Sequence, residues 1–238
     1  NPGGNFHWQD FNEMYWGKYQ IPPGRSFGGI IGRVRLDAVS PVYVSDIYMQ
    51  NQPERTKVKA ILTVNNTSAK TEKQDIYFSV YEKENPGKVI LEKKLPRVAL
   101  KQGTNVVTME LHCPEARIWD LDTPYLYVCG VDVKSGKKLS DRAVQTFGFR
   151  WFEPVGIGKD AMLRLNGRRV MLRTAISWGY WPATGLYATP EMAEKQVSVA
   201  KSMGLNMLNF HRSIGSPVVL EKADELGLLY YEAVSYTH

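Results

Sequence analysis

Residues Lys57–Val64 have the sequence KVKAILTV, in which apolar and polar side chains alternate. Val58, Ala60, Leu62 and Val64 point to one side of an extended chain, and the other side carries Lys57, Lys59 and Thr63. Alternation with a period of two residues predicts a β-strand with one buried face.

The same alternation recurs on both sides of this stretch. Similar segments surround Phe78, Met109 and Val131, and turn sequences such as Asn85-Pro86-Gly87 separate them. About seven such strands over roughly 100 residues have the number and spacing of an immunoglobulin-like β-sandwich. We therefore predict a sandwich over residues 42–150.

Beyond residue 155 the pattern changes. Ala161–Leu172 contains Asn166-Gly167 between two apolar stretches, which is a strong hairpin signal. Three strands then alternate with two helices, an order that predicts a parallel sheet built from βαβ units. In chain order these are a strand to about Ser177, a helix from Thr189-Pro190 to Gly204, a strand Asn206–Phe210, a helix from Ser216-Pro217 to Gly227 and a strand Leu228–Glu232.

Residues 1–41 are rich in glycine, proline and aromatic side chains. Only Gly29–Val39 has the pattern of a strand, and turn chemistry dominates the rest. Since so short a segment cannot bury a core of its own, we expect it to pack on another part of the protein.

The composition excludes several classes of protein. With 43% hydrophobic and 23% charged residues among 238, the chain is globular in composition. The net charge of +6 comes from scattered lysines, which argues against a nucleic-acid partner. No apolar stretch approaches the ~18 residues that a membrane span requires, so no membrane partner is predicted.

The two cysteines, Cys113 and Cys129, lack metal-ligand spacing, and no metal site or cofactor is predicted. They could form a disulfide if their strands were neighbours. Two buried free thiols are the simpler interpretation.

Short motifs that follow one another in a fixed order identify a family. Together they resemble glycoside hydrolase family 2, which contains β-galactosidases, β-glucuronidases and β-mannosidases. The segments that carry the resemblance are Phe27–Leu36, Thr123–Tyr127 ("P-x-L-Y"), Phe147–Arg150 ("G-F-R"), Leu165–Arg173 ("L-N-G"), Gly204–Leu208 ("G-x-N") and Ala223–Leu229 ("D-E-x-G-L").

The resemblance implies a multidomain protein of β and α/β architecture. Residues 1–41 would be the C-terminal remnant of a jelly-roll sugar-binding domain, and 42–150 the immunoglobulin-like sandwich. Residues 151–238 would be the N-terminal third of a (β/α)8 TIM barrel, the catalytic domain. The chain starts at Asn1 without methionine and ends in VSYTH, so we expect it to be incomplete at both ends.

Two positions depart from the family pattern. The family's N-x-x-R motif would place arginine at position 209, where this chain has Asn209, and an arginine follows only at Arg212. Thr174 replaces the second glycine of the hairpin motif. The preference for a particular sugar therefore cannot be transferred from the family.

The implied activity is that of a retaining β-glycosidase acting on oligo- or polysaccharides. Such hydrolysis uses two carboxyl groups about 5–5.5 Å apart. In the family these glutamates follow barrel strands four and seven, whereas this sequence reaches strand three. We therefore expect no catalytic residue in this chain and no activity from it alone. The family favours a periplasmic or extracellular location, while a cytoplasmic location and the oligomeric state both stay open.

Candidate substrate-binding residues lie at the C-terminal ends of the barrel strands, where such barrels place their sites. An aromatic face stacks on a sugar ring, and polar groups bind its hydroxyls. The candidates are Trp178 and Trp181 after the first strand, Asn209 within the second, His211 and Arg212 after it, and Glu232 at the end of the third.

Each candidate also has a structural alternative. The tryptophans suit a core or a domain interface, His211 and Arg212 suit a cap or an inter-loop salt bridge, and Glu232 suits an ion pair with Arg212. Asp224 and Glu225, on the second helix, are interpreted as solvent-facing or capping residues.

A different class of function also fits the sandwich, namely a non-catalytic carbohydrate-binding or adhesive module. The hairpin and the βαβ units of residues 161–232 argue against it, because such a module has no use for them. A structural protein that has lost catalysis is a third alternative.

Overall fold

The computed structural model describes residues 34–177, 188–210 and 215–232. The chain divides into two compact units, Asn1–Ala38 and Val39–His238. In the first unit only residues 34–38 are described; they belong to no strand, and Val34 and Leu36 are exposed.

The strand predicted over Gly29–Val39 is therefore wrong for its described part, residues 34–39. A strand is stable when a neighbour pairs its N–H and C=O groups, and no described strand pairs with this segment. Residues 29–33 lie outside the described ranges.

Seven antiparallel strands confirm the predicted sandwich. One sheet has the order β1-β2-β5, and the other has the order β4-β3-β6-β7. Strand β4 thus pairs with strand β3 and belongs to the four-stranded sheet, not to the three-stranded one. The strands are β1 (Val42–Asn51), β2 (Lys57–Asn66), β3 (Glu72–Glu82), β4 (Val89–Leu100), β5 (Gly103–His112), β6 (Tyr127–Ser135) and β7 (Lys138–Phe147).

The core lies between the two sheets and follows the alternation in the sequence. Val58, Ala60 and Leu62 of β2 are buried, as are Phe78 of β3 and Val131 of β6. Each buried apolar side chain of this size contributes about 1.5–3 kcal/mol relative to exposure. The apolar face of the alternation is therefore what holds the sheets together.

Strand β4 is less regular because it lies at a sheet edge. It contains Pro96, which cannot donate a ladder hydrogen bond, and Arg97 with a positive φ of 52°. The pairing register with β3 shifts between Gln74 and Ile76, opposite this point. An edge strand tolerates both features.

The two cysteines are free and buried, as predicted, in the sandwich core. Burial raises the pKa of the Cys113 thiol to about 11 and that of the Cys129 thiol to about 12. Both side chains are therefore protonated and unreactive in the folded protein.

After the sandwich, three short antiparallel strands precede a three-stranded parallel sheet, whose order is β11-β12-β13. The bounds are β8 (Phe152–Val155), β9 (Met162–Leu165), β10 (Arg168–Val170), β11 (Thr174–Ser177), α1 (Pro190–Ser202), β12 (Met207–Phe210), α2 (Pro217–Leu226) and β13 (Leu229–Glu232). No helix in the described ranges is long and apolar enough to cross a membrane.

The local signals in the sequence account for these elements. Asn166 and Gly167 have φ of 54° and 81°, as the predicted tight hairpin between β9 and β10 requires. The Thr189 side chain accepts a hydrogen bond from the Met192 N–H and caps α1. Gly204 follows α1 with φ of 79°, and Gly227, at 79°, caps α2.

A dense set of polar contacts joins the sandwich to the βα units. Trp119 is fully buried, and its indole N–H donates to the Asp224 carbonyl at 2.7 Å. The Arg150 guanidinium lies 4.5 Å from the Trp119 ring centroid and pairs with the Asp224 carboxylate at 2.6 Å. We call this set the junction; its members are Lys83, Trp119, Arg150, Asn166, Lys201, Asp224 and Glu225.

The Asn166 side-chain amide, in the hairpin between β9 and β10, donates to the Trp119 carbonyl at 2.9 Å. Two lysines bridge the sandwich and the βα units. Lys83 pairs with Glu225 at 2.5 Å. The Lys201 ammonium donates to the carbonyl of Leu121 at 2.6 Å and to the carbonyls of Leu226 and Gly227, at 2.5 and 3.2 Å, at the end of α2. The interpretation of Asp224 and Glu225 as solvent-facing or capping residues is thus wrong, because this side of α2 faces the sandwich.

Two glycines permit the close approach at the junction. A Cβ on Gly148 would lie 2.9 Å from the Cβ of Trp119. A Cβ on Gly227 would lie 2.3 Å from the carbonyl oxygen of Leu121. The glycines of the "G-F-R" and "D-E-x-G-L" motifs therefore have a packing role here. The predicted division of the chain at residues 41 and 150 stays a prediction.

Candidate functional site

The carboxyl ends of β11, β12 and β13 form the candidate site. The register aligns Ser177, Phe210 and Glu232 in one row and Ile176, Asn209 and Tyr231 in the row before it. We call these six residues the rim. Because side chains alternate along a strand, the two rows point to opposite faces of the sheet.

The first row lies on the face covered by helices. Phe210 is buried and stacks on Tyr230, with ring centroids 4.4 Å apart. Gln196 of α1 donates to the Ser177 hydroxyl at 2.9 Å and accepts from the Tyr230 hydroxyl at 3.3 Å. Burial raises the pKa of Tyr230 to about 12, so this hydroxyl remains a donor. The network fixes the ends of β11 and β13 to α1.

Glu232 ends the same row, but its side chain is exposed. One carboxylate oxygen accepts a hydrogen bond from the Gly215 N–H at 3.1 Å. Gly215 immediately precedes Ser216, the N-cap residue of α2, where the helix dipole favours negative charge. A Cβ on Gly215 would lie 2.2 Å from a Phe210 ring carbon, so glycine is required there. Glu232 therefore holds the start of α2.

Asn209 lies on the other face, in the central strand. Its neighbours across the sheet, Ile176 and Tyr231, are 53% and 55% exposed. The Asn209 Oδ1 atom is buried and has no hydrogen-bond partner within the described residues. A buried acceptor left unpaired costs about 1–3 kcal/mol, so this atom has unused hydrogen-bonding capacity.

The structure thus places two of the predicted site residues at the rim, on adjacent strands but on opposite faces. Trp178, Trp181, His211 and Arg212 lie outside the described residues, so the predicted Glu232–Arg212 pair is not described either.

The sequence analysis did not identify Gln196 and Tyr230 as members of the site. One signal was available for Gln196, because this polar residue interrupts the apolar stripe of α1 between Ala193 and Val197. Tyr230 gave no comparable signal, since an aromatic residue is ordinary in a buried strand.

Comparison with known proteins points to one family. The family model of the glycosyl hydrolases family 2 matches residues 42–150. A β-galactosidase of Thermoanaerobacterium thermosulfurigenes is 28% identical to the chain over 218 residues, and a β-glucuronidase of Bacteroides fragilis is 22% identical over 222. These matches support a member of glycosyl hydrolases family 2, and the family model itself covers residues 42–150.

Solved structures of the family share the fold. A family 2 member from Bacteroides cellulosilyticus superimposes with a TM-score of 0.72 at 21% identity, over 82% of this chain and 27% of that one. The β-glucuronidase of Parabacteroides merdae superimposes with a TM-score of 0.67 at 25% identity, over 82% of this chain and 24% of that one.

The chain spans only part of the length of its relatives. The matches cover 88% of this chain, but 29% of the T. thermosulfurigenes β-galactosidase and 31% of the B. fragilis β-glucuronidase.

Acidic residues are scarce at the rim. The segments that follow β11, β12 and β13, residues 178–189, 211–216 and 233–238, contain no aspartate or glutamate. Glu232 is the one carboxylate among the six rim residues. Within the described ranges no group of three or more His, Cys, Asp or Glu side chains could hold a metal ion.

Clefts lie elsewhere on the molecule. One of about 140 Å³ lies beside the junction and is lined by Arg55, Trp151 and Asn166, among others. A shallower one of about 510 Å³ lies on the outer face of the β4-β3-β6-β7 sheet, around Tyr77 and Gly130.

Proposed function

We propose that the chain is part of a retaining β-glycosidase that hydrolyses O-glycosidic bonds of oligo- or polysaccharides. In this proposal residues 1–41 end a jelly-roll domain, and residues 151–238 form the first third of a (β/α)8 barrel. The parallel order β11-β12-β13, with helices between the strands, supports the barrel. The relatives named β-galactosidase and β-glucuronidase support the chemistry.

We further propose that the chain alone does not catalyse hydrolysis. The observation that carries this proposal is the single carboxylate of the rim, Glu232. Glycoside hydrolysis of this type requires one carboxyl group to protonate the leaving oxygen and a second to attack the sugar. Because one oxygen of Glu232 is held by the Gly215 N–H, we assign this residue to positioning.

The rim and the segments after it would then form part of the sugar-binding wall. Asn209 has the strongest support, because its buried Oδ1 lacks a donor among the described residues and a sugar hydroxyl supplies one. Trp178 and Trp181 would stack on a sugar ring. His211 and Arg212 would bind hydroxyl groups.

An activity assay on two proteins tests the proposal. The 238-residue chain and the product of the complete open reading frame that encodes it are each incubated with 4-nitrophenyl β-galactoside and β-glucuronide. We expect hydrolysis by the complete product and none above background by the chain. NMR of the first-formed sugar should show the β-anomer, as retention of configuration requires.

Inactivity of the complete product on every β-glycoside tested would contradict the assignment. Hydrolysis by the 238-residue chain itself would contradict the single-carboxylate argument. The Asn209→Ala variant of the complete product tests the sugar-binding wall, and an unchanged KM and kcat would remove Asn209 from it.

A non-catalytic carbohydrate-binding role is the second candidate. The observation that favours it is the cleft on the outer face of the four-stranded sheet, which lies on the sandwich and not at the rim.

A further inference from the structure

The outer face of the four-stranded sheet carries a groove that crosses the strands. The pairing register aligns Glu92, Ser79, Gly130 and Val144 in one row across β4, β3, β6 and β7. Tyr77 and Tyr81 flank this row on β3, four residues apart, which is roughly 13 Å along a strand. We call these six residues the sheet groove; they belong to the lining of the cleft of about 510 Å³.

The floor of the sheet groove depends on Gly130. This glycine lies within β6, an inner strand of the sheet, where glycine weakens a strand. It is not among the glycines with positive φ, and the register around Ser79 and Gly130 is uninterrupted. A Cβ at this position would lie 2.7 Å from the Ser79 hydroxyl oxygen. The backbone conformation therefore does not require glycine, and its effect is to let the Ser79 hydroxyl lie over this position of β6.

Carboxylates pair with three of the four cations that line the cleft, and two of the three share one carboxylate. Lys94 pairs with Asp75 at 2.6 Å, and Arg142 donates two hydrogen bonds to Asp132, at 2.6 and 2.7 Å. The ammonium groups of Lys94 and Lys134 lie 4.9 and 4.8 Å from the Tyr77 ring centroid. Asp75 and Asp132 together with the Glu92 carboxylate in the central row offset most of the positive charge, so the groove is not built to select an anion.

The polar groups that remain suit hydroxyl groups. Among the described residues no hydrogen bond or ion pair engages the side chains of Ser79, Tyr81 or Glu92. A carboxylate accepts hydrogen bonds from hydroxyls, and the hydroxyls of Ser79 and Tyr81 both donate and accept. The Tyr81 ring adds an apolar surface beside them.

We propose that the sheet groove is a non-catalytic binding site for a neutral β-linked oligosaccharide. The choice of a carbohydrate rests on the proposed glycosidase function, and the choice of a neutral one rests on the paired cations and the free Glu92 carboxylate. The site would hold a polysaccharide chain on the sandwich, apart from the rim. Binding is measured without turnover, so its failure is distinct from a failure of the glycosidase proposal.

Affinity gel electrophoresis of the 238-residue chain tests the site, with soluble β-1,4-galactan as the neutral probe and polygalacturonate as the acidic one. We expect galactan to retard the chain and polygalacturonate to have less effect. The double variant Ser79→Ala/Glu92→Gln should weaken galactan binding about tenfold, as loss of hydrogen bonds to a charged group implies.

A matched double variant on the outer face of the other sheet, Thr108→Ala/Glu110→Gln, is the control and should bind like the wild type. Circular dichroism checks that each variant is folded. Absence of retardation by galactan, equal weakening in both double variants, or a preference for polygalacturonate would each overturn the proposal.

Discussion

The junction and the rim lie at different places on the same βα units, and they differ in how completely their polar groups are paired. At the junction, Trp119, Arg150 and Asp224 bond to one another across the sandwich boundary. At the rim, Asn209 has a buried oxygen without a described partner, and Glu232 is exposed. The junction has the contacts of a structural interface, and the rim retains capacity for a ligand.

This difference explains which residues carry the family resemblance. The "G-F-R", "L-N-G" and "D-E-x-G-L" motifs supply Arg150, Asn166 and Asp224, all of them junction residues. Of the two departures from the family pattern, Asn209 lies at the rim. Motifs of this kind therefore identify the framework, while the substrate depends on residues that they do not include.

The largest expected effect is at the centre of the junction. Trp119→Ala removes a fully buried ring and its hydrogen bond to Asp224, and should lower the free energy of unfolding by about 3–5 kcal/mol. Tyr231→Ala, at the exposed rim, should change it by less than about 1 kcal/mol. Urea denaturation followed by circular dichroism measures both. Similar losses would remove the contrast between the two regions.

A smaller loss is expected from Lys201→Met, which leaves the carbonyls of Leu121, Leu226 and Gly227 without their shared donor. We expect a loss of about 1–3 kcal/mol in the free energy of unfolding. Lys195→Met, at an exposed position of the same helix, is the control and should leave the free energy of unfolding almost unchanged. If both variants lose the same stability, the carbonyl contacts contribute nothing specific.

Two asparagines on β12 and just before it sharpen the comparison. The Asn206 side chain accepts a hydrogen bond from the Arg173 N–H and donates one to the Met171 carbonyl, both at 2.8 Å. Asn206→Ala should therefore lower the free energy of unfolding by about 2 kcal/mol. Asn209→Ala removes an unpaired buried oxygen and should leave the thermal stability of the chain unchanged or slightly raised. A clear loss in Asn209→Ala would show that Oδ1 is paired in solution.

The smallest effect is a pH dependence at Glu225. Burial alone would raise the pKa of this carboxyl, but hydrogen bonds from Lys222 and Lys83 outweigh it and hold the pKa below its ordinary value of 4.5. The stabilisation is therefore complete above about pH 4.5 and is lost as the pH falls through the lower folded pKa.

Glu225→Gln should consequently be less stable than the wild type near pH 7, by under about 1 kcal/mol, and the difference should shrink below pH 4. Melting curves between pH 7 and about pH 3.5 measure it, with the exposed Glu84→Gln as control. A difference that grows on acidification would contradict the sign of the pKa shift.

The sequence predicted those elements whose signals are local. Alternation located the strands of the sandwich, Asn166-Gly167 located the hairpin, and Thr189 located the start of α1, because each depends on neighbouring residues alone. The ion pairs of Asp224 and Glu225 were not predictable, since their partners Arg150 and Lys83 are 74 and 142 residues away. The strand predicted over Gly29–Val39 is wrong in its described part for a related reason, because a strand also depends on a second segment that pairs with it.

The candidate site was predictable in position but only partly in detail. The ends of β11, β12 and β13 lie where the βαβ pattern placed them. The opposite faces of Asn209 and Glu232 follow from the strand register, which periodicity does not fix.

The rate at which the two thiols of the sandwich core react with a reagent can be used to measure how often the core opens. Cys113 and Cys129 are 1% and 0% exposed, so a thiol reagent reaches them only when the sheets separate. Where labelling is faster than reclosing, the labelling rate equals the rate of that separation, and where reclosing is faster it reports the equilibrium population of the open state. Transient opening of the sandwich core can thus be measured with the native cysteines, without an added probe.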